Sequence, residues 1–374
     1  GEGVRSDCYV EIAAATSGGI QLALQSKVAA LYGGAIERLA RAACGFYDIE
    51  HAAIHLEDGG ALPFTLAARL EAAIKRAGPD RHASFQLPHT PRHFSSSKKE
   101  RLRRTRLYLP GNEPKFFVNA GLHQPDAIIL DLEDSVAPGE KDAARILVRH
   151  ALQHVNFYEA ERMVRINAGE LGKEDLREVI PHGAQTILIP KCEAAEHVRA
   201  VAEEVDSLCR QHKLTREIFL IPIIESAAGV LRAFEIAQAS DKNCALAFGL
   251  EDYVADLGVA KTAAGTESLF ARSMIVNAAK ASALQALDSV FADVNDVEGL
   301  QASTLAAKTL GFEGKGCIHP RQIRTIHEAL APSRDEIEAA THIVAAFEAA
   351  QQQGRGVIAL GTKMIDAPVM KRAQ

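Results

Sequence analysis

Tryptophan is absent from this chain of 374 residues, and aromatic residues make up only 5% of it. The apolar residues are mainly alanine, valine, isoleucine and leucine, which is typical of parallel strands covered by helices. The chain also lacks any apolar run of about 18 residues, so we expect no membrane-spanning helix. Because no basic region followed by an apolar one stands at its start, we expect no secretory signal and a cytoplasmic location.

Cysteine is sparse as well, and the six cysteines form no CxxC or other metal-ligand spacing. We therefore expect reduced thiols and no zinc site. The net charge of −6 includes no basic excess, which argues against nucleic acid or an acidic membrane surface as a partner. Loops of the types GxGxxG and GxxxxGKS/T are absent too, which disfavours the nucleotide-binding sheets that depend on them.

One change in composition divides the chain. Residues 79–106 are polar and basic, with three prolines and three consecutive serines, which is typical of a linker. We predict a first domain at 1–78, a linker at 79–100 and a second domain at 101–374. Apolar spacing predicts a small α+β fold for the first domain, with strands at 8–13, 21–24 and 52–56 and helices at 27–43 and 63–77.

The second domain repeats one pattern eight times: a short apolar run, a polar or glycine-containing break, and usually an amphipathic helix. This alternation implies right-handed crossovers and a parallel sheet, and eight units match a TIM (β/α)₈ barrel of the α/β class. A doubly wound open sheet is the alternative. A further helix at 334–353 and a tail at 357–374 follow. The predicted strands are 107–110, 127–132, 163–167, 186–190, 218–224, 245–250, 289–294 and 316–319. The helices include 140–152, 194–212, 227–239, 269–284, 297–310 and 321–329.

Charged residues cluster where these predicted strands end, the end at which TIM barrels hold their active sites. Several carboxylates in one confined mouth would repel one another without a cation, and oxygen ligands favour Mg²⁺. Helix N-capping is the alternative for Asp134, Asp293 and Asp296. Glu225 is a poor N-cap and ends a fully apolar strand. The candidates along the chain are Asp131, Glu133, Asp134, Arg165, Asn167, Lys191, Glu225, Glu251, Asp252, Asp293, Asp296 and His319.

Two basic residues in these strands have open alternatives. Arg165, within MVRIN, would be costly to bury unless it pairs with Asp131 or Glu133, or binds a substrate carboxylate or keto oxygen. Lys191, within LIPK, could form a Schiff base, although a carboxylate-rich rim favours an enolate stabilised by a metal.

Several segments together resemble one family. They are RRTRLYLPGNEP, AIILDLEDSVAPGEK, VRINAGE, LIPKCE, IPIIESAAGV, FGLEDYVADLG, FADVNDVEGL, GKGCIHPRQI and GTKMIDAP, in order between about 101 and 373. They resemble the citrate lyase beta subunits, within the citrate lyase/malyl-CoA lyase/HpcH–HpaI aldolase superfamily. The resemblance implies a Mg²⁺-binding TIM barrel, commonly in homotrimers or hexamers, that cleaves a 3-hydroxyacyl thioester into a keto acid and a thioester enolate.

The resemblance also implies roles for individual residues. Glu225 and Asp252 would be the Mg²⁺ ligands. Arg165 would contact the keto-acid end of the substrate, and Glu133 would line the site or support the water shell of the metal. Arg104 would lie near the position that reaches a CoA phosphate.

A further implied role falls in the tail. Asp366, within KMIDAP, would close like a lid over the site of a neighbouring subunit and act as proton donor or acceptor.

The N-terminal segment resembles the acyl carrier, or gamma, subunit of citrate lyase over about 4–77. The segments RSDCYVEI, LQSKVAALYGGAIERL and HLEDGGALPFTLAARLEAAIKRA are those that match. The resemblance implies a phosphoribosyl-dephospho-CoA prosthetic group on the serine of a Ser-x-Asp pattern. Asp7 fits this pattern, but Arg5 stands two residues before it. Either Ser6 is the attachment site in a shifted register, or this carrier is unmodified.

Three functional hypotheses follow. The first is a carrier–lyase fusion that cleaves a citryl thioester to oxaloacetate and acetyl thioester, with a citrate lyase alpha subunit as possible partner. The second is a citramalyl-CoA or malyl-CoA lyase with a vestigial carrier domain. The third is a non-catalytic assembly protein that keeps the barrel, which the joint presence of Arg165, Glu225, Asp252 and Asp366 disfavours.

Overall fold

The computed structural model describes residues 5–78, 82–88, 96–262, 264–352, 357–360 and 363–373. The chain divides into two compact units, Gly1–His327 and Glu328–Gln374. The first unit contains a small α+β segment and a closed barrel. Among the described residues, no helix has the length and apolar character needed to cross a membrane.

The N-terminal segment is the predicted α+β fold. A three-stranded sheet has the order β1-β3-β2, in which β3 runs antiparallel to β1 and parallel to β2. Two helices cover it, and Ile54, Leu56 and Leu70 lie in their shared core. The elements are β1 Cys8–Ala14, β2 Ile20–Ser26, α1 Ala29–Phe46, β3 Ala52–Asp58 and α2 Pro63–Ala77.

The second segment confirms the predicted TIM barrel, because its eight strands close into one parallel sheet. The strands are β4 Thr105–Pro110, β5 Ala127–Asp131, β6 Glu161–Arg165, β7 Thr186–Ile189, β8 Phe219–Ile224, β9 Ala245–Phe248, β10 Gln285–Asp288 and β11 Gly314–Cys317. The helices are α3 Pro114–Phe117, α4 Lys141–His154, α5 Gly169–Val179, α6 Ala195–Gln211, α7 Ala227–Leu231, α8 Ala233–Ala237, α9 Leu250–Leu257, α10 Thr266–Ala281, α11 Val297–Leu310 and α12 Arg321–Leu330.

Alternate residues along the strands fill the barrel interior. Ile129 of β5, Met163 of β6 and Ile221 of β8 belong to one buried apolar cluster. The residues between them, such as Ile128 and Leu220, are equally buried. Because both faces of the sheet are buried, the strands contain apolar runs and do not simply alternate between polar and apolar residues.

The seventh predicted strand was wrong. It was expected at 289–294, but β10 spans Gln285–Asp288, between the predicted helix 269–284 and the predicted strand. Helix α10 ends earlier, at Ala281, and Ala283 has a positive φ of 54° that turns the chain into the strand. Asp293 and Asp296 therefore lie in the following loop, and Asp296 caps α11 by accepting a hydrogen bond from the Gly299 N–H at 2.8 Å.

Helix α2 of the N-terminal segment packs on α4 of the barrel through buried charges. Glu71 and Arg149 form an ion pair whose side chains are both 0% exposed. Arg149 also binds Glu178 at 2.8 Å, and the Nε2 of His150 lies 3.4 Å from Glu71. Burial makes this network costly unless every partner is present, so the two segments are held in one arrangement.

Part of the predicted linker at 79–100 is packed in the same region. Phe85 is buried in the core of the N-terminal segment, and its carbonyl accepts a hydrogen bond from Arg149. Ser97 is buried and donates to Glu161 at 2.5 Å. The linker residues 79–81 and 89–95 lie outside the described residues.

This network predicts a loss of stability in acid. Burial lowers the pKa of His150 to about 4 from an ordinary 6.5. Between these two pH values His150 is protonated in the unfolded chain and neutral in the folded chain. Burial opposes the charge of Glu71, but hydrogen bonds from His150 and Arg149 outweigh it and lower the pKa of Glu71 to about 2. The contribution of His150 is full above pH 6.5 and is lost as the pH falls through 4, and that of Glu71 is lost at still lower pH.

We expect the thermal unfolding midpoint to fall between pH 6.5 and 4, and to fall less steeply in a His150→Gln variant. Differential scanning calorimetry across this pH range measures both slopes. His197→Gln, on the exposed face of α6, is the control and should keep the wild-type slope. Equal slopes in wild type and His150→Gln would contradict the prediction.

The C-terminal unit contains α13 Arg334–Gln352, β12 Ile358–Leu360, β13 Lys363–Ile365 and α14 Ala367–Ala373. The two strands pair antiparallel, and Phe347, Ile365 and Met370 form a small core. Asp366 precedes α14, and its Oδ1 accepts a hydrogen bond from the Val369 N–H at 3.1 Å. Residues 353–356, 361–362 and 374 of the predicted last helix and tail lie outside the described residues.

Candidate active site

Arg165, the last residue of β6, holds the acidic residues that follow β5. Its Nε donates to Oδ1 of Asp131 at 2.6 Å, and its Nη2 donates to Oδ2 at 2.7 Å. Its Nη1 lies 3.0 Å from Glu133 and 3.2 Å from Asp134, and its guanidinium lies 5.5 Å from the centre of the Tyr108 ring. Burial opposes the charge of Arg165, but the hydrogen bonds to Asp131 outweigh it and raise the pKa, so Arg165 stays a cation.

Lys191 follows β7 and binds the same acidic group. Its Nζ donates to Oε1 of Glu133 at 2.5 Å and to Oδ1 of Asp134 at 3.3 Å. The hydrogen bond with Glu133 raises the pKa of Lys191, so its amine is protonated at neutral pH. A protonated amine is not a nucleophile, which argues against the Schiff-base alternative.

Glu225 follows β8 and has a different environment. It is 4% exposed, and its Oε1 accepts a hydrogen bond from the backbone N–H of Lys191 at 2.6 Å. Gly249 leaves room for this carboxylate, since a Cβ at position 249 would collide with it. Burial, together with a smaller contribution from the nearby Asp252, outweighs the hydrogen bond from the Lys191 N–H and raises the pKa of Glu225 to about 8.

Glu225 and Asp252 are acids of the cavity lining that have no ion pair among the described residues. Asp252 lies in the first turn of α9, and neither residue forms an ion pair with another described residue. Asp131, Glu133 and Asp134, in contrast, share two cations, Arg165 and Lys191. Two nearby carboxylates without an ion pair among the described residues are a suitable place for a divalent cation.

The chemistry of these donors fits Mg²⁺. Mg²⁺ is commonly held by one or two carboxylates, with water and substrate as the remaining ligands. Within the described part of the chain, no group of three or more histidine, cysteine, aspartate or glutamate side chains could enclose a metal. A zinc site made entirely of protein ligands is therefore not supported there.

A cavity of about 440 Å³ opens at this end of the barrel. Arg165, Glu225 and Asp252 line it, together with apolar residues such as Ile223 and Phe248. A partly apolar cavity with a few convergent charged groups is typical of a small-molecule site. The structure thus brings together Glu133, Arg165, Glu225 and Asp252 from four different βα units, as the strand-end argument predicted.

Arg104 does not reach this cavity. It precedes β4, at the amino end of the barrel, and its Nε and Nη2 bind Asp126 at 2.8 and 2.9 Å. The cavity lies at the carboxyl ends of the strands, so the predicted contact between Arg104 and a CoA phosphate is not supported. The predicted strand began at 107, whereas β4 begins at Thr105. The prediction therefore did not decide at which end of the barrel Arg104 lies.

Ser6 lies beside a contact between the N-terminal segment and the barrel. The next residue, Asp7, accepts hydrogen bonds from Nε and Nη2 of Arg69 at 3.0 and 2.9 Å. The same Nη2 donates to the backbone oxygen of Asn112 at 2.9 Å. Asn112 lies two residues after β4, at the carboxyl end of the barrel. The candidate attachment site is thus anchored to the end of the barrel that holds the cavity.

The lining residues that sequence reasoning missed include Arg106 and Tyr108. Both belong to β4, and with Pro110 they alternate along the strand. The signal was available, because TRLYLP places Arg106, Tyr108 and Pro110 on one face at a period of two. The short predicted strand LYLP omitted Arg106.

Comparison with known proteins agrees with this geometry. Residues 104–320 match the family described as HpcH/HpaI aldolase/citrate lyase. Residues 3–77 match the family model ACP, described as the malonate decarboxylase delta subunit. The latter supports the predicted resemblance of the N-terminal segment to an acyl carrier.

Individual relatives cover most of the chain. The citrate lyase subunit beta of Escherichia coli K12 is 40% identical over 282 residues, which are 74% of this chain and 93% of that protein. The mitochondrial citramalyl-CoA lyase of Homo sapiens is 32% identical over 82% of this chain and 94% of its own length. The Mycobacterium tuberculosis protein CitE, solved with magnesium, acetoacetate and coenzyme A, is 33% identical with a TM-score of 0.59, over 74% of this chain and 97% of that chain.

The barrel and its acidic rim are those of a carbon–carbon lyase. The chain belongs to the HpcH/HpaI aldolase/citrate lyase family, to which its beta-subunit relatives also belong.

Proposed function

We propose that this chain is a Mg²⁺-dependent lyase that cleaves a citryl-type thioester, carried by CoA or an acyl carrier, to oxaloacetate and an acetyl thioester. The observation that carries the proposal is the pair of carboxylates, Glu225 and Asp252, that lacks a cation among the described residues while its neighbours are neutralised. Structures of relatives support it, because one is described as a citrate lyase beta subunit with oxaloacetate and magnesium.

In this proposal each residue has a defined task. Glu225 and Asp252 hold Mg²⁺, which when bound supplies positive charge to the hydroxyl and keto oxygens of the substrate. Arg165 directs its guanidinium to the keto-acid end. Glu133 keeps Arg165 and Lys191 in place and supports the water around the metal.

The reaction itself is a retro-aldol cleavage. A general base takes the proton of the hydroxyl, which becomes the keto group, while the adjacent carbon–carbon bond breaks and its electron pair passes to the thioester enolate. One proton then converts the enolate to the acetyl thioester. Arg165 stabilises the negative charge that grows on oxygen during cleavage, in a cavity that is largely apolar.

Asp366 is proposed to donate this proton, acting on the site of a neighbouring copy in a homotrimer or hexamer. Its support is the resemblance of the GTKMIDAP segment to the tail of citrate lyase beta subunits. An Asp366→Asn protein mixed with a Glu225→Gln protein tests this. Partial recovery of activity in mixed oligomers supports transfer between subunits, and no recovery contradicts it.

The N-terminal segment is proposed to present the acyl group to the barrel. Its support is Arg69, which donates hydrogen bonds both to Asp7 and to the backbone oxygen of Asn112 and so links the neighbour of Ser6 to the carboxyl end of the strands. In this proposal Ser6 carries a prosthetic group of the phosphoribosyl-dephospho-CoA type. A citrate lyase alpha subunit is the partner that transfers the acyl group to this prosthetic group. Intact mass of the full chain, compared with Ser6→Ala, tests for the adduct.

A second candidate is a lyase for free citramalyl-CoA or malyl-CoA with an unmodified carrier segment. Arg5 favours it, because arginine stands where the Ser-x-Asp pattern requires serine. A cleavage assay with citryl-CoA, citramalyl-CoA and malyl-CoA, with and without Mg²⁺, separates the candidates. We expect Mg²⁺-dependent release of oxaloacetate from citryl-CoA; turnover of none of the three, nor of their acyl-carrier forms, would refute the lyase proposal.

A further inference from the structure

Arg106 is a charged residue in the interior of the barrel. It is 2% exposed and pairs in register with Ala127 of β5 and Gly316 of β11. The interior around it is built from apolar side chains, including Ile129 and Met163. An arginine in such surroundings is unfavourable unless its charge and its N–H groups find partners.

The partners of Arg106 are incomplete. Its Nη2 donates to the backbone oxygen of Asp288 at 2.9 Å. Its Nε and Nη1 are buried and have no hydrogen-bond partner among the described residues. No described carboxylate forms an ion pair with it, and burial lowers the pKa of its guanidinium.

The nearest acid does not supply the missing charge. The carboxylate of Asp288 already binds Lys315 at 2.8 Å and Arg272 at 3.0 Å. One negative charge therefore stands against three positive charges at this level of the barrel. The excess of positive charge favours an anion in the space beside Arg106.

That space belongs to the candidate active-site cavity. Arg106 and Gly316 line it together with Arg165, Glu225 and Asp252. Gly316 adds no side chain to this lining, and a Cβ there would lie 2.7 Å from Val290 and 3.4 Å from the Tyr108 ring. The lining thus includes two carboxylates without an ion pair among the described residues, Glu225 and Asp252, and the buried guanidinium of Arg106.

We propose that Arg106 binds a substrate carboxylate remote from the bond that is cleaved, and thereby selects citryl over citramalyl thioesters. The inference rests on the proposed function. A citryl group has a carboxymethyl arm where a citramalyl group has a methyl, and both share the hydroxyl and the carboxylate beside it. A methyl would leave the guanidinium of Arg106 without an acceptor, whereas a carboxylate would satisfy its charge and its free N–H groups.

The direct test is binding of the two keto acids to the full chain with Mg²⁺. Oxaloacetate carries the additional carboxylate and pyruvate does not. Isothermal titration should show that wild type prefers oxaloacetate by roughly 10- to 100-fold, the range of one charge-assisted contact. Arg106→Met, of similar length, should lose this preference by weakening oxaloacetate alone, and Arg106→Lys should keep part of it.

A matched control uses another arginine whose pKa burial lowers. Arg216 donates to the backbone oxygen of Ile180 and lies outside the lining of the cavity. Arg216→Met should keep the wild-type preference for oxaloacetate. The thermal unfolding midpoint of Arg106→Met without ligand should be equal to or above that of wild type, because an unpaired buried charge is removed.

Kinetics give the second arm of the test. We expect kcat/KM for citryl-CoA to fall roughly 10- to 100-fold in Arg106→Met while that for citramalyl-CoA changes less than about threefold. Equal losses for both ligands, or no change for either, would overturn the inference.

If Arg106→Met does not fold, Arg106→Lys and Arg106→Gln take its place. The measurement is then the ratio of kcat/KM for citryl-CoA to kcat/KM for citramalyl-CoA in these two variants. If wild type cleaves no thioester the proposed function fails, but keto-acid binding still decides the role of Arg106.

Discussion

Glu225→Gln should abolish most of the Mg²⁺-dependent cleavage, with kcat/KM lower by roughly 10³-fold, since a metal contributes several kcal/mol of charge stabilisation. The amide keeps the size of the side chain and can still accept the hydrogen bond from the Lys191 N–H. It removes the negative charge that pairs with the cation. The fold should be unaffected, because burial already raises the pKa of this carboxyl to about 8 and its charge opposes folding at neutral pH.

The measurement combines initial rates with a Mg²⁺ titration. Raising the Mg²⁺ concentration should recover little activity in Glu225→Gln. Asp293→Asn is the control, because Asp293 lies on the loop after β10 and outside the cavity lining, and should retain activity within about twofold. Full activity in Glu225→Gln would remove Glu225 from the metal site.

Arg165→Lys should lower kcat/KM by roughly 10²- to 10³-fold, the usual effect of losing a donor that stabilises a developing oxyanion. Lysine keeps the charge but not the planar fork that binds both oxygens of Asp131 at 2.6 and 2.7 Å. Because a cation remains beside Asp131, Glu133 and Asp134, the loss of stability should be smaller than for a neutral replacement, which would leave buried carboxylates unpaired.

The matched control is Arg145→Lys. Arg145 has the same 12% side-chain exposure as Arg165 and binds Asp175 at 2.7 Å, but it does not line the cavity. Arg145→Lys should change stability alone, whereas Arg165→Lys should change kcat as well. If both variants kept wild-type kcat, Arg165 would be a structural residue and its proposed contact with the substrate would be excluded.

Local signals predicted the best-defined elements of the fold. Helix α2 was expected at 63–77 and α11 at 297–310, and both bounds are observed. Pro63 at the start of α2 and the left-handed Gly311 after α11 are strong boundary residues. Strand β10 was misplaced, because QALD is short and follows a helix that ends without a glycine cap.

The sequence identified some charged residues of the site and missed or misplaced others. Strand ends identified Glu225 and Arg165, because a carboxylate or guanidinium after an apolar run has few structural explanations. Arg106 was missed and Arg104 was assigned to the wrong end of the barrel. The predicted strand began at 107, two residues after the start of β4, so it contained neither arginine and did not place either of them.

The amino-acid sequence by itself determined the order of strands and helices, the closed barrel and the acidic rim, because these follow from local periodicity and from the geometry of parallel strands. Only the tertiary structure decided which charges neutralise one another. Arg165 reaches back 34 residues to Asp131, while Glu225 and Asp252 remain without a cation among the described residues. Ion pairs depend on distances between strands that lie far apart in the chain, and no local pattern encodes those distances.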